Sequence, residues 1–395
     1  MKTHNQNNFF KYQAQTTDFA SAFEVSHAKG NYIYGKNGKA YLDFVAGVSA
    51  NTLGHSYPAV IKAIKEQVDH YMHVMVYGEY VQDEPVALCK LLAESTPDFL
   101  ETTYLTNSGT EAIEGALKLA KRYTGRDEIF AAKNAYHGNT QGAMSVMGNE
   151  EQKQAYRPLI PNVNFIEFNN QSDLKKITLK TAAVILETIQ GAAGFIVPKN
   201  NYLQQVKKRC NEVGALLILD EIQPGFGRTG KLFAFQKYNV VPHIVVMGKG
   251  MGGGMPIGAF ISSSQIMSCL KHQPALGHIT TFGGHPVIAA AAHATLKELL
   301  NTSLMNQVEE KVAVFKSLLK HPKIKSIRGT GLMIAIELES KEYVAKVIQK
   351  CMEKRLIVFS LLFENQCLRI TPPLTITKSE VRVGCKIILE VLDSM

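Results

Sequence analysis

Cysteine is sparse in this chain and does not cluster. The six residues, Cys89, Cys210, Cys269, Cys351, Cys367 and Cys385, form no C-x-x-C pair and no tight Cys/His group. That scatter argues against a zinc site or a disulfide framework and fits a reducing compartment, with each thiol expected as a small buried hydrophobe. Long apolar runs are missing as well. A run such as Ala215 to Leu219 falls far short of the ~20 residues a membrane span needs. The first twenty residues are polar and mixed, without the apolar core of a signal peptide, so a cytoplasmic protein is expected. Basic clusters are equally scarce. The formal charge is +9, yet lysine and arginine are spread along the chain and mixed with acids. The longest basic run, Lys207-Lys208-Arg209, falls on a predicted helix and reads as a solvated face. Neither a nucleic acid nor a membrane is expected as a partner. The modest positive field suits anionic small molecules. The chain shows no internal repeat, low-complexity segment or obvious linker.

What is present is an α/β pattern. At 395 residues the chain has room for one large domain and one smaller one. Its middle alternates short apolar runs with helical periodicity, which predicts a layered α/β domain. Three runs are nearly continuous in apolar character, as buried strands are: 182–186, 215–219 and 244–247. They end at Glu187, Asp220-Glu221 and Gly248-Lys249. Ligands of open α/β sheets bind beyond the carboxyl ends of strands, so these ends are the place to look for chemistry. Leu203, Val206, Cys210 and Val213 predict a helix, with Gly214 as its C-terminal cap. After about residue 286 the pattern changes to longer helices and a few strands. The expected division is a segment 1–49 joining the small domain, a large domain 50–285, and a C-terminal small domain 286–395.

Three segments carry candidate chemistry. In Asn107-Ser108-Gly109-Thr110-Glu111, an amphipathic helix is predicted to begin near Thr110, with Ile113, Ala116, Leu117 and Ala120 on its apolar face. Ser108 and Glu111 have capping-box spacing, and a helix start of small residues suits an anion such as phosphate. An ordinary capped helix is the alternative. Asp220 at a buried strand end needs a partner, because an unpaired buried carboxylate is costly. A protonated pyridine nitrogen would serve, with Gln223 in reach of a phenolic oxygen; a structural pair with Arg228 is the alternative. Lys249 follows an apolar strand directly and precedes a glycine-rich stretch. Burial or a cationic neighbour would depress its pKa and make its amine nucleophilic toward an aldehyde. The segment does not fit a phosphate-binding P-loop, which needs Ser or Thr after the lysine where this chain has Gly250. A merely flexible glycine loop is the remaining alternative. A phosphate turn, a strand-end acid and a strand-end lysine, in that order, supply the contacts that pyridoxal 5'-phosphate (PLP) requires.

Read together, these residues resemble the class III aminotransferases of the ornithine/acetylornithine type. The likeness begins at Tyr41-Leu42-Asp43 and Leu53-Gly54-His55. It continues through the NSGTEA turn, Tyr136-His137-Gly138, Ile189-Gln190-Gly191, DEIQPGFGRTG and GKGMGGGMPIGA. It ends with Thr280-Thr281-Phe282-Gly283-Gly284, Arg328-Gly329-Thr330-Gly331-Leu332 and Leu368-Arg369-Ile370. The resemblance implies a fold-type I PLP-dependent transferase: a large domain with a mixed, mostly parallel seven-stranded sheet, plus a smaller α+β domain. It implies that Lys249 carries the cofactor as a Schiff base and shuttles the proton, and that Asp220 pairs with the pyridinium nitrogen. It further implies that Gln223 bonds the phenolic oxygen, that Tyr136 and Ile222 pack on the two ring faces, and that Ser108, Gly109 and Thr110 hold the phosphate. Thr281 would reach the phosphate in a neighbouring subunit of a homodimer. Arg369, whose bland alternative is a surface ion pair, would bind the substrate carboxylate. For Tyr136 the bland alternative is a core tyrosine; for His137 a structural or supporting role is expected.

Two positions depart from the pattern. Ornithine- and acetylornithine-type enzymes usually carry a glutamate after Gln-Gly, which pairs with the carboxylate-binding arginine; here Ala192 follows Gln190-Gly191. They also usually carry an arginine in aromatic-His-Gly-Arg-Thr, which holds a distal carboxylate; here Asn139 stands there. A charge-assisted pair of that kind contributes roughly 1.5–3 kcal/mol. The small alanine resembles amine- or diamine-using class III relatives. The expectation is a ping-pong aminotransferase moving an amino group from an amino acid or ω-amine, ornithine- or acetylornithine-like, to a keto acid. The alternatives are an amine:pyruvate-type transaminase; a racemase, mutase or lyase on the same scaffold; and a non-catalytic binding protein.

Overall fold

The computed structural model describes residues 2–395. Its centre is a seven-stranded sheet built from β1 (Thr102–Thr106), β2 (Glu128–Ala132), β3 (Val163–Ile166), β4 (Thr181–Glu187), β5 (Leu216–Asp220), β6 (Ile244–Gly248) and β7 (Gly258–Ser262). The strand order is β1-β7-β6-β5-β4-β2-β3. All neighbours are parallel except β7, which runs antiparallel to both β1 and β6. This is the mixed, mostly parallel sheet expected.

The three strands read from apolar runs appear within one residue of their predicted bounds. Every residue of β4, β5 and β6 is buried. Although these strands read as continuous apolar runs, their side chains still alternate between two faces. Val184, Leu186, Leu217, Leu219, Val245 and Met247 pack with Leu203, Val206 and Cys210 of the helix Tyr202–Val213. Ala183, Ile185, Ile218 and Val246 pack instead with Ile113, Ala116, Leu117 and Ala120 of the helix Gly109–Thr124. Both faces are thus covered by helices, which leaves the strand ends, not the faces, open to a ligand. Gly214 caps the first of these helices with φ 67°, as its position predicted. The basic triplet on that helix is less solvated than expected. Lys208 alone is exposed; Arg209 donates to the carbonyl of Ile177 at 3.0 Å, and burial pushes the Lys207 amine down to about 8.

Two smaller sheets flank this core in sequence. Val25–Lys29, Tyr32–Gly35 and Ala40–Asp43 form one with Leu356–Ile357, which pairs parallel to Ala40–Asp43. Ser326–Thr330, Met333–Glu337, Cys367–Ile370 and Phe359–Ser360 form the other, wholly antiparallel. The N-terminal strands therefore share a sheet with the C-terminal part of the chain. Among the described residues no helix is long and apolar enough to cross a membrane.

Candidate active site

The ends of β4, β5 and β6 lie side by side. Glu187 pairs in register with Asp220, and Asp220 with Val246, two residues before Gly248 and the lysine that follows it. Above these ends opens a cavity of about 750 Å³. Its lining includes Gly109, Thr110, Tyr136, Ile222, Gln223, Lys249, Asp220 and Arg369. Eight of the ten candidate site residues thus converge on one space. Ser108 stands just behind it as the helix cap. Thr281 is exposed and outside the cavity.

Lys249 leaves β6 with φ 41°, a left-handed conformation that a non-glycine residue adopts only when its surroundings force it. Gly250, Met251 and Gly252 after it are buried, so this segment is packed and not a flexible glycine loop. Burial lowers the pKa of the Lys249 amine, and the positive charge of Arg369 adds to that; Asp220 and Glu187 oppose it. The amine is thereby shifted toward its neutral, nucleophilic form.

Asp220 is 3% exposed. Its Oδ1 accepts from the backbone N–H of Ile222 at 2.9 Å, and its Oδ2 accepts from His137 Nδ1 at 2.7 Å. A carboxylate offers only acceptors, so the His137 proton sits on Nδ1. The alternative pair with Arg228 is not formed. Arg228 is buried and donates to the carbonyl of Pro372. His137 is therefore the residue that orients Asp220, the supporting role foreseen for it. Glu187, fully buried beside them, accepts from the N–H of Tyr136 at 3.0 Å and of Gly191 at 2.8 Å. Burial pushes its carboxyl up to about 7.

The helix Gly109–Thr124 points its start at the cavity. Ser108 Oγ accepts from Glu111 N at 3.3 Å, one half of the expected capping box. The other half is missing, because the Glu111 carboxylate accepts from Asn107 N at 2.8 Å and Asn107 Nδ2 at 2.9 Å instead of from Ser108 N. The N–H groups of Gly109 and Thr110 come first in the helix and have no helical acceptor, so they offer a seat to an anion. Glycine leaves room here for the Ile222 side chain, which would have to shift to admit a larger residue. A Cβ at Gly109 would lie 2.8 Å from Ile222 Cδ1. Thr110 Oγ1 is 2.8 Å from Thr140 Oγ1, which fixes the hydroxyl at the same edge.

Arg369 enters from the strand Cys367–Ile370 and is 7% exposed. It forms no ion pair among the described residues, and its Nε has no hydrogen-bond partner. Burial pushes its guanidinium down to about 10. The surface ion pair proposed as its bland reading is therefore excluded; this is a buried cation facing a cavity. Ala192 and Asn139 also line that cavity.

One element escaped the sequence. Ala46, Gly47, Val48 and Ser49 have φ of 51°, 59°, 60° and 71°, a left-handed turn at the cavity edge. Each non-glycine residue in it costs roughly 1–2 kcal/mol. Asp43 Oδ1 offsets this by accepting from Val45 N at 2.7 Å and Ala46 N at 3.0 Å. The turn brings Val48 into the lining and sets Ser49 Oγ 3.4 Å from Gln223 Nε2. Gly47 was the sole local hint, and its neighbours' β-branched and small residues gave none.

The Aminotransferase class-III family model matches residues 12–392. Acetylornithine aminotransferase from Clostridium acetobutylicum is 39% identical over 374 residues, covering 91% of this chain and 94% of that protein. The crystal structure of ornithine aminotransferase from Toxoplasma gondii ME49 superposes with a TM-score of 0.91 at 31% identity, covering 100% of this chain and 96% of that one. A second structure of the Toxoplasma gondii enzyme, with a TM-score of 0.90 at 30% identity and covering 98% and 94%, is described with PLP partly occupying its active site. An amine, an acid and a helix start gathered at the strand ends of this sheet, in a chain matched almost end to end, make the protein a class III aminotransferase.

Proposed function

We propose that the enzyme uses pyridoxal 5'-phosphate to move an amino group from an amino acid or ω-amine, ornithine- or acetylornithine-like, to a keto acid in a ping-pong sequence. The convergence of Lys249, Asp220 and the Gly109 helix start on one cavity carries this reading. The residues fit the cofactor. Asp220 is buried and, among the described residues, paired with no arginine or lysine, the helix start offers unpaired N–H groups, and Tyr136 and Ile222 supply apolar surface. When bound, the cofactor supplies an aldehyde that condenses with amines and a ring that draws electrons from the neighbouring carbon.

Each side chain then has a task. Lys249 would hold the cofactor through its amine and, with that amine free, would move the proton at the amine-bearing carbon. Asp220, oriented by His137, keeps the ring nitrogen protonated. Gln223 bonds the phenolic oxygen, Tyr136 and Ile222 flank the ring, and Ser108, Gly109 and Thr110 seat the phosphate. Arg369 takes the substrate carboxylate in bidentate fashion. Thr281 belongs to the site of a second copy in a homodimer. Its exposure supports this, as do its neighbours Phe282 at 52% and Ile279 at 45% exposure. We read residues 50–285 as the cofactor-binding unit and 1–49 with 286–395 as the smaller one, supported by the sheet that joins Ala40–Asp43 to Leu356–Ile357. The six unpaired cysteines support a cytoplasmic enzyme.

The test is stoichiometric. The PLP-loaded enzyme, given a donor and a keto acid, should produce one new amino acid per amine consumed. A donor that is racemised or cleaved instead, with no new amino acid, would favour a racemase, mutase or lyase.

A further inference from the structure

The charge inventory of the active-site cavity limits what it can accept. Among the described residues lining it, the cations are Lys249, Arg369 and His137. His137 is committed to Asp220 at 2.7 Å. Lys249 is committed to cofactor and proton in the reading above, on which this inference rests. Arg369 remains as the one guanidinium in the lining, buried and with Nε unpartnered. Two acids, Glu187 and Asp220, also face the space. The rest of the lining toward the mouth is neutral: Val48, Ala192, Phe359 and Leu362 are apolar, and Asn139 and Asn365 are uncharged amides.

We infer that the keto acid taken by this enzyme carries a single carboxylate, bound by Arg369, and a neutral far end lying against Val48, Ala192 and Leu362. A second carboxylate would find no free cation in this lining and would be repelled by the two acids. A neutral end gains from the apolar surface instead. Asn139, exposed in the same lining, is an uncharged position at which an added cation tests this preference.

The experiment has a binding arm and a turnover arm. PLP-loaded wild-type enzyme is titrated calorimetrically with butyrate and with glutarate, unreactive acids of one and two carboxylates. Butyrate should bind, and glutarate should bind more weakly by at least about tenfold. In turnover, pyruvate should exceed 2-oxoglutarate by a similar factor in kcat/KM. Asn139→Arg should raise glutarate affinity by at least about tenfold and narrow the turnover gap. Glutarate binding as tightly as butyrate overturns the inference. Failure of butyrate to bind overturns it as well, and so does an Asn139→Arg variant that binds glutarate no better. If both acids bind as expected and neither keto acid is aminated, the transaminase reading fails and the account of the cavity stands.

Discussion

Replacing Arg369 by methionine should stabilise the free enzyme while crippling it. The guanidinium is 7% exposed, forms no ion pair among the described residues and has an unpartnered Nε. Burial pushes its pKa down from the ordinary arginine range to about 10. At 1.36 kcal/mol per unit, that depression corresponds to roughly 3 kcal/mol of destabilisation of the charged folded state. The sign follows from proton binding. From about 10 up to the ordinary arginine range the folded chain binds fewer protons than the unfolded one, so the penalty fades only as pH rises through that window and is fully present below it. At pH 8 it operates in full. Methionine keeps the apolar stem, leaves the guanidinium's place to the cavity and carries no charge. Urea unfolding of the apoenzyme at pH 8 should therefore show a gain of about 2–3 kcal/mol at unchanged m. The same substitution removes a bidentate carboxylate clamp worth about 1.5–3 kcal/mol, so KM for the keto acid should rise about 10- to 150-fold. A variant that is less stable than wild type, or whose KM is unchanged, would refute the view of Arg369 as an unpaired cation held ready for a carboxylate.

Asp220→Ala should weaken PLP binding and slow removal of the donor proton by at least about a hundredfold, read by cofactor titration and single-turnover absorbance; unchanged kinetics would remove the ring-nitrogen role. Thr281→Val should leave the fold intact but loosen PLP in both sites of a dimer, measured as faster cofactor loss on dialysis, whereas equal retention would detach Thr281 from the phosphate. Glu221 is fully buried, and burial pushes its carboxyl from 4.5 up to about 7 despite bonds from Thr188, Ala234 and Phe235. Its contribution to stability is therefore full below about 4.5 and declines as pH rises through about 7. Glu221→Gln should flatten that decline in urea unfolding between pH 5 and 8, and an unaltered pH slope would contradict it.

The parts of the molecule that were legible in the sequence are those in which local pattern and tertiary role agree. β4, β5 and β6 are buried on both faces, so their apolar runs announced them, and the polar residue ending each run marked the site. The helix Gly109–Thr124 combined apolar periodicity with a serine cap, so its start and its buried face were both readable. The His137–Asp220 bond was beyond such reading, because 83 residues separate its partners. The left-handed turn 46–49 was hidden for the opposite reason. Alanine, valine and serine disfavour that conformation; the nearby Asp43 carboxylate and the distant Thr371 hydroxyl, which donates to the carbonyl of Val45, hold it in place. The failed half of the capping box has a local cause: Asn107 offers Glu111 two donors that Ser108 N could not outcompete. The freedom of Arg369 was also invisible, since an unpaired state depends on what the rest of the chain leaves unplaced around it.

The central claim is that one amine, Lys249, holds the cofactor. Purified enzyme mixed with PLP should develop an absorbance band in the visible, and borohydride should bleach it and fix the label to a single peptide. Mass spectrometry should place that label on Lys249, and Lys249→Ala should give neither the fixed label nor measurable turnover. A protein that stays colourless, or a label on a different lysine, would contradict the account.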